Sequence, residues 1–356
     1  MALNPDDSRH RFVDLVFEGG GVKGIGLVGA VSVLEERGYL TQNVAGTSAG
    51  AIVATLLAAG YSAAELKEII LNLDFKRIMD STWEDRIPIP VASGALSILL
   101  TEGLYQGTYF HDLMRHYLEA KGVHTFGDLR HADATDDLRY RYKAQVIASD
   151  VSGRQLLVLP RDADKLGIQP DELAVADAVR MSMSIPIFFQ PVRVRNHRDG
   201  IEHVIVDGGM LSNFPVWLFD SDGEPEWPTF GLKLVESDPR TSLAERLPPE
   251  AAEVGSHHGV IDYAKSLIGT MTEFYDRLYL EKDTFVRTIT IPTLGIRTTE
   301  FDLTRERALD LYQAGRDSAE TFLEGWNFAG YVAEYRRGQE YSRRTEVAGE
   351  LNQVAT

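Results

Sequence analysis

The 356-residue chain contains no cysteine, which excludes disulfides, thiolate metal sites and a cysteine nucleophile. Basic residues are also short: 36 lysines and arginines stand against 53 aspartates and glutamates, a formal charge of −17. Such a surface repels phosphate backbones, so nucleic-acid binding is not expected. Nor does it offer general attraction to anionic membranes. Long apolar runs are missing too. "IGLVGAVSVL" and "AIVATLLAAG" are too short and too interrupted by glycine and alanine to span a bilayer. The opening "MALNPDDSRHRF" has neither the cationic flank nor the apolar core of a signal peptide. The expectation is a cytoplasmic protein. No two of the nine histidines show H-x-x-x-H or H-E-x-x-H spacing suited to zinc, so no metal is expected.

What is present alternates between strand and helix patterns. "FVDLVFE" (12–18) reads as a strand that stops at glycines, and "VKGIGLVGAVSVLEERG" as the helix after it. "NVAGT" is a second strand and "AGAIVATLLAAG" a second helix. "SAAELKEIILNL" begins with a capping box, Ser62 with Glu65. Segment 74–108 reads as a loop-rich excursion, with "IPIPVASGALSILL" either a lipid-facing flap or, the better reading, core. "YRYKAQVIASD" and "RQLLVLP" form a hairpin pattern around "VSG". "ELAVADAVRMSM", 257–283 and "TRERALDLYQAGRDSAETFLEGW" are helical, while "EHVIVDGG", "TFGLKLV" and "TFVRTITIPT" are strands. This alternation predicts an α/β layered fold with a largely parallel sheet. Residues 10–327 are expected to form one domain and 328–356 a polar, fraying tail.

Three glycine-framed motifs carry the chemistry. In "FEGGGVKGIG", Gly19, Gly21 and Gly24 satisfy G-x-G-x-x-G between strand and helix. A Rossmann-type nucleotide site is therefore a rival reading. Against it, the second strand ends in "NVAGTSAG" without the carboxylate that would hold a ribose. A phosphate loop is excluded, because no Gly-Lys-Ser/Thr follows. What remains is bare backbone N–H at a helix start, equally suited to a phosphate or an oxyanion. Gly46-Thr47-Ser48-Ala49-Gly50 matches G-x-S-x-G at a strand-to-helix turn. Ser48 is there either a nucleophile or, with Thr47, an ordinary helix cap. "VIVDGGMLSNFP" sets Asp207 at a strand end before Gly208 and Gly209, a turn or a general base. A histidine base, His257 or His258, would complete a serine-acid-histidine order, but adjacent histidines opening a helix read better as solvated. His203 reads as packing or exposed, Met181 and Met183 as core.

Together, "EGGGVKG", "GTSAG" and "DGG" resemble the patatin-like phospholipase family over about residues 12–326, and "SIPIFFQPV" adds to the likeness. The resemblance implies a three-layer α/β/α sandwich and a Ser-Asp dyad without histidine. Ser48 would be the nucleophile and Asp207 the base. Gly19, Gly20 and Gly21 with Lys23, joined by the N–H of Ala49, would form the oxyanion hole, and Gly24, Gly46, Gly50, Gly208 and Gly209 would be motif glycines. Gly209 stands where the family often has alanine. The implied substrate is a phospholipid or lysophospholipid met at a membrane surface, with no cofactor and no metal. Restraint by self-assembly or a regulatory partner is a further expectation.

Overall fold

A computed structural model of the chain describes residues 12–73, 77, 105–132, 137–186, 188–221, 223–236, 282–298 and 300–337. The expected excursion, the flap segment, the helix at 257–283 and both of its opening histidines lie wholly or almost wholly outside the described residues.

The sheet is built on β1 (Phe12–Phe17), β2 (Leu40–Thr47), β3 (Ala144–Asp150), β4 (Gln155–Leu159), β5 (Val192–Arg195), β6 (Glu202–Asp207), β7 (Thr229–Val235) and β8 (Thr288–Pro292). Its order is β5-β6-β3-β2-β1-β7-β8, with β4 paired to β3. The pairs from β3 through β2, β1 and β7 to β8 are parallel, while β4, β5 and β6 run antiparallel to their partners. The hairpin expected around "VSG" is the β3–β4 pair.

Helices α1 (Gly24–Glu36), α2 (Ala49–Ala58), α3 (Ala63–Leu71), α4 (Thr108–Ala120), α5 (Val175–Ser182) and α6 (Arg305–Gly325) join the apolar residues of one sheet face in a single core. A smaller cluster covers the other face: Val16, Ala45 and Ile147 from the strands pack against Phe214, Val216, Trp217 and Phe219. The architecture is a three-layer α/β/α sandwich whose second outer layer, among the described residues, consists of short helical turns. None of the described helices is long and apolar enough to cross a membrane.

α3 starts on the Ser62–Glu65 capping box. α1 and α6 meet through glycine: a methyl on Gly315 would stand 1.9 Å from the Gly26 carbonyl oxygen, and one on Gly29 2.0 Å from that of Tyr312. Neither contact is flexible, since both partners are backbone. Gly315→Ala should therefore lower stability by about 1–3 kcal/mol, whereas Gly325→Ala at the open end of α6, where nothing lies within 4 Å, should be neutral or mildly stabilising. Urea denaturation of the two variants checks the contrast.

The tail does not begin at 328. Residues 328–337 form a short helical segment that buries Tyr331, Val332 and Arg336. The arginine is polar by composition yet buried, because its guanidinium donates to the carbonyl oxygens of Ser221 and Gly223.

Candidate active site

β3 brings the motifs together. β4 occupies one edge of β3 over Val146–Asp150, so β2 and β6 must share the other edge, end to end. On that edge Thr47 lies opposite Ile147 and Asp207 opposite Ala148. Two strands running in opposite directions thus finish against consecutive residues of β3, and the turns that leave the two strand ends converge.

Ser48 is the single residue between β2 and α2, with φ 53° and ψ −124°. A non-glycine residue at this φ is strained by roughly 1–3 kcal/mol and persists only where its surroundings enforce it. Here they do. A methyl on Gly46 would stand 2.3 Å from the Gly50 carbonyl, and one on Gly50 2.4 Å from the Phe17 carbonyl, so glycines on both sides let strand, turn and helix pack this closely. The helix-cap reading does not hold: the Ser48 side chain makes no capping bond, and the Thr47 hydroxyl donates to the Ser212 carbonyl at 3.0 Å. The Ser48 hydroxyl is instead turned toward α5, where it donates to Met183 Sδ at 3.4 Å.

Asp207 ends β6, and its Oδ1 accepts the Gly209 N–H at 2.7 Å. Its other oxygen, Oδ2, is buried without a well-formed hydrogen bond among the described residues. Burial pushes the Asp207 carboxyl up to about 7, against smaller opposing effects of the Gly209 N–H and the neighbouring Ser48 hydroxyl. Serine and aspartate are therefore side by side with the hydroxyl still engaged by sulfur, and catalytic hydrogen bonds are often loose without substrate. Burial makes this aspartate hold its proton more tightly than an exposed carboxylate does. It is a far better base near neutrality than an exposed carboxylate.

The glycine loop is more selective than expected. The Gly19 N–H is taken by the Asn213 carbonyl at 3.1 Å, and Asn213 Nδ2 returns a bond to the Gly19 carbonyl at 3.1 Å. The Lys23 N–H is taken by the Gly20 carbonyl. Gly20 and Gly21, together with Ala49 at the first position of α2, are left with no such acceptor among the described residues. Gly21 holds φ +56°, and a methyl there would stand 2.1 Å from the Thr298 carbonyl oxygen. The Lys23 side chain is buried; burial lowers its pKa from the ordinary lysine value, opposed chiefly by the charge of Glu18. Glu18 in turn anchors the loop to β7, accepting from Lys233 Nζ at 2.6 Å and from the Leu234 N–H at 2.5 Å.

Gly24, which opens α1, lies 3.5 Å from the Ala49 side chain when given a methyl of its own. Two helix N-termini therefore meet at one place, and both favour negative charge there. They border a cavity lined by Ala49, Met183, Ile52, Phe110, Phe189 and Phe301 among other, largely apolar residues. Its volume is about 30 Å³, enough for water but not for an acyl chain.

Gly208 packs against β3, where a methyl would stand 2.3 Å from the Ile147 carbonyl. No histidine is hydrogen-bonded to Ser48 or Asp207 among the described residues. His203, expected to be packing or exposed, is buried with Nδ1 2.8 Å from Asp150 Oδ2. No group of metal-ligating side chains occurs among the described residues.

A model of the patatin-like phospholipases matches residues 15–220, which include both strand ends and the glycine loop. The chain belongs to the patatin-like phospholipase family. Membership supports lipid hydrolysis as its activity. The uncharacterized protein YqhO of Bacillus subtilis is 36% identical over 89% of this chain and all of its own length. An uncharacterized NTE family protein of Mycobacterium tuberculosis, Rv2565, is 28% identical over 60% of this chain, which spans only 29% of that protein. VipD of Legionella pneumophila shares the fold, with a TM-score of 0.50 and 19% identity over 88% of this chain and 67% of VipD. Within this patatin-like site, three contributors escaped the sequence reading. Ser182 Oγ accepts the Ser48 N–H at 2.8 Å, Asn213 clamps Gly19, and Met183 lines the cavity as well as the core. Only Asn213, a few positions beyond Asp207 in the same glycine-led stretch, left a local signal.

Proposed function

We propose that the protein is a serine acyl hydrolase that releases fatty acids from glycerophospholipids or lysophospholipids through Ser48 and Asp207. The observation that carries this reading is the pairing of a strained, non-capping serine with a buried carboxylate whose Oδ2 is open, beside an apolar cavity. In the reaction, Asp207 Oδ2 takes the hydroxyl proton as Ser48 Oγ attacks the ester carbonyl. The N–H groups of Gly20, Gly21 and Ala49, which have no backbone acceptor among the described residues, hold the resulting oxyanion; losing one such donor typically costs about 10²–10³ in rate. The protonated Asp207 returns its proton to the departing alcohol, leaving an acyl-Ser48 ester. Water, deprotonated by Asp207, then releases the fatty acid.

The test is mass-spectrometric: mixed micelles of phospholipid and lysophospholipid are incubated with the purified protein. Free fatty acid appears with the wild type. Equal release by Ser48→Ala, or none by either, would defeat the proposal. The acidity of Asp207 adds a signature. Its ionised form is the base, so kcat/KM should rise with pH up to about 7 and then level off. Asp14 is pushed up to about 7 by its own burial, where Asn43 Nδ2 donates to it at 2.7 Å. Asp14→Asn serves as the control, and the profile should survive it.

A further inference from the structure

The Ser48 hydroxyl donates to Met183 Sδ at 3.4 Å, beside the Asp207 carboxyl that it also neighbours. A thioether is a weak acceptor, so the hydroxyl can leave it for Asp207 Oδ2 at small cost. The same sulfur belongs to a residue only 8% exposed that lines the cavity together with Ala49 and Gly21. That cavity holds about 30 Å³, ample for a molecule of water or peroxide size.

We infer that Met183 is a modification site, and that its oxidation to the sulfoxide by a peroxide switches Ser48 off. The inference rests on Ser48 being the nucleophile. In the step itself the sulfur lone pair attacks one peroxide oxygen. With hydrogen peroxide the O–O bond breaks as an S–O bond forms, the proton on the transferred oxygen passes to the leaving oxygen, which departs as water, and the sulfur is oxidised by two electrons while the peroxide is reduced. The product is a chiral, polar group on a formerly apolar side chain.

Its position gives the sulfoxide two effects. The new oxygen reaches out from a sulfur already in contact with Ser48 Oγ and is a strong acceptor, so it holds the hydroxyl proton away from Asp207. It also places a polar group on the wall that an acyl chain has to pass. Either effect lowers nucleophilic attack, and the first acts even on a reagent too small to need the cavity. Met114 and Met181 are buried to about the same degree or more, but neither borders both the cavity and the serine.

The experiment is labelling of Ser48 by a small fluorophosphonate, with peptide mapping, before and after graded hydrogen peroxide. In the wild type, labelling should fall at least about tenfold, in step with the Met183 sulfoxide fraction. In Met183→Leu, the ratio of treated to untreated labelling should stay near one, whatever its starting rate. Met183→Gln, which sets a permanent polar acceptor by Ser48, should label slowly without oxidant. An equal peroxide loss in Met183→Leu overturns the inference, as does full labelling with Met183 oxidised or peroxide that spares Met183. Untreated wild type with no label at Ser48 defeats the hydrolase reading and this inference together.

Discussion

Ser48→Ala and Asp207→Asn each lower fatty-acid release by at least about a thousandfold, and the double variant is no worse than either alone. The size follows from the roles: without Oγ no acyl-enzyme forms, and without the carboxylate nothing in contact with the hydroxyl can take its proton. The non-additivity follows because the two groups act in one proton transfer. Asp207→Asn is nearly isosteric, keeps the Oδ1 acceptor for the Gly209 N–H, and so separates lost chemistry from lost structure. Steady-state rates on a soluble acyl ester, with circular dichroism of each variant, check this. Additive losses would mean that the two residues do not share a step.

Asp207→Asn is also expected to make the protein more stable, and increasingly so as the pH rises. The folded carboxyl is raised from 3.8 to about 7, so between those values the folded state binds a proton that the unfolded chain has lost. Stability from this group is therefore full below about pH 4 and declines as the pH climbs to about 7, after which the buried charge is carried in full. At 1.36 kcal/mol per unit the difference is at most about 4 kcal/mol, or several degrees in Tm for a chain of this size. Asparagine has no such titration. The Tm gap between Asp207→Asn and wild type should be small at pH 4 and widest above pH 7. Asp14 cancels in this difference, because both proteins carry it. A gap that widens with pH would mark the usual trade between activity and stability at such sites. A gap that is flat with pH would show that Asp207 is not buried as a costly charge.

Much of the site was legible because its chemistry is written in local geometry. A strand ending at glycines and a serine framed by Gly46 and Gly50 both require backbone approaches that only glycine permits, so residue identity reports the turn directly. The Asp-Gly-Gly turn was legible in the same way. The long-range pairings were not. Nothing near Ser48 or Asp207 in the chain says that β2 and β6 abut on one edge of β3, since that register depends on the whole sheet. For the same reason Ser182 and Met183 read as an ordinary helix end: their functional neighbour arrives from another strand. The raised pKa of Asp207 left no signal in the sequence, because burial is a property of the assembled core, not of the tripeptide. The segment after Trp326 was misread because composition counts Arg336 as polar, whereas two carbonyls make its burial tolerable.

The most direct measurement is peptide mapping of the enzyme acid-quenched during turnover of a slowly deacylated ester. One acyl group, on Ser48, is expected in the wild type, and none in Asp207→Asn. An acyl group on any other side chain, or brisk turnover with no covalent acyl-enzyme, would contradict the Ser48–Asp207 mechanism.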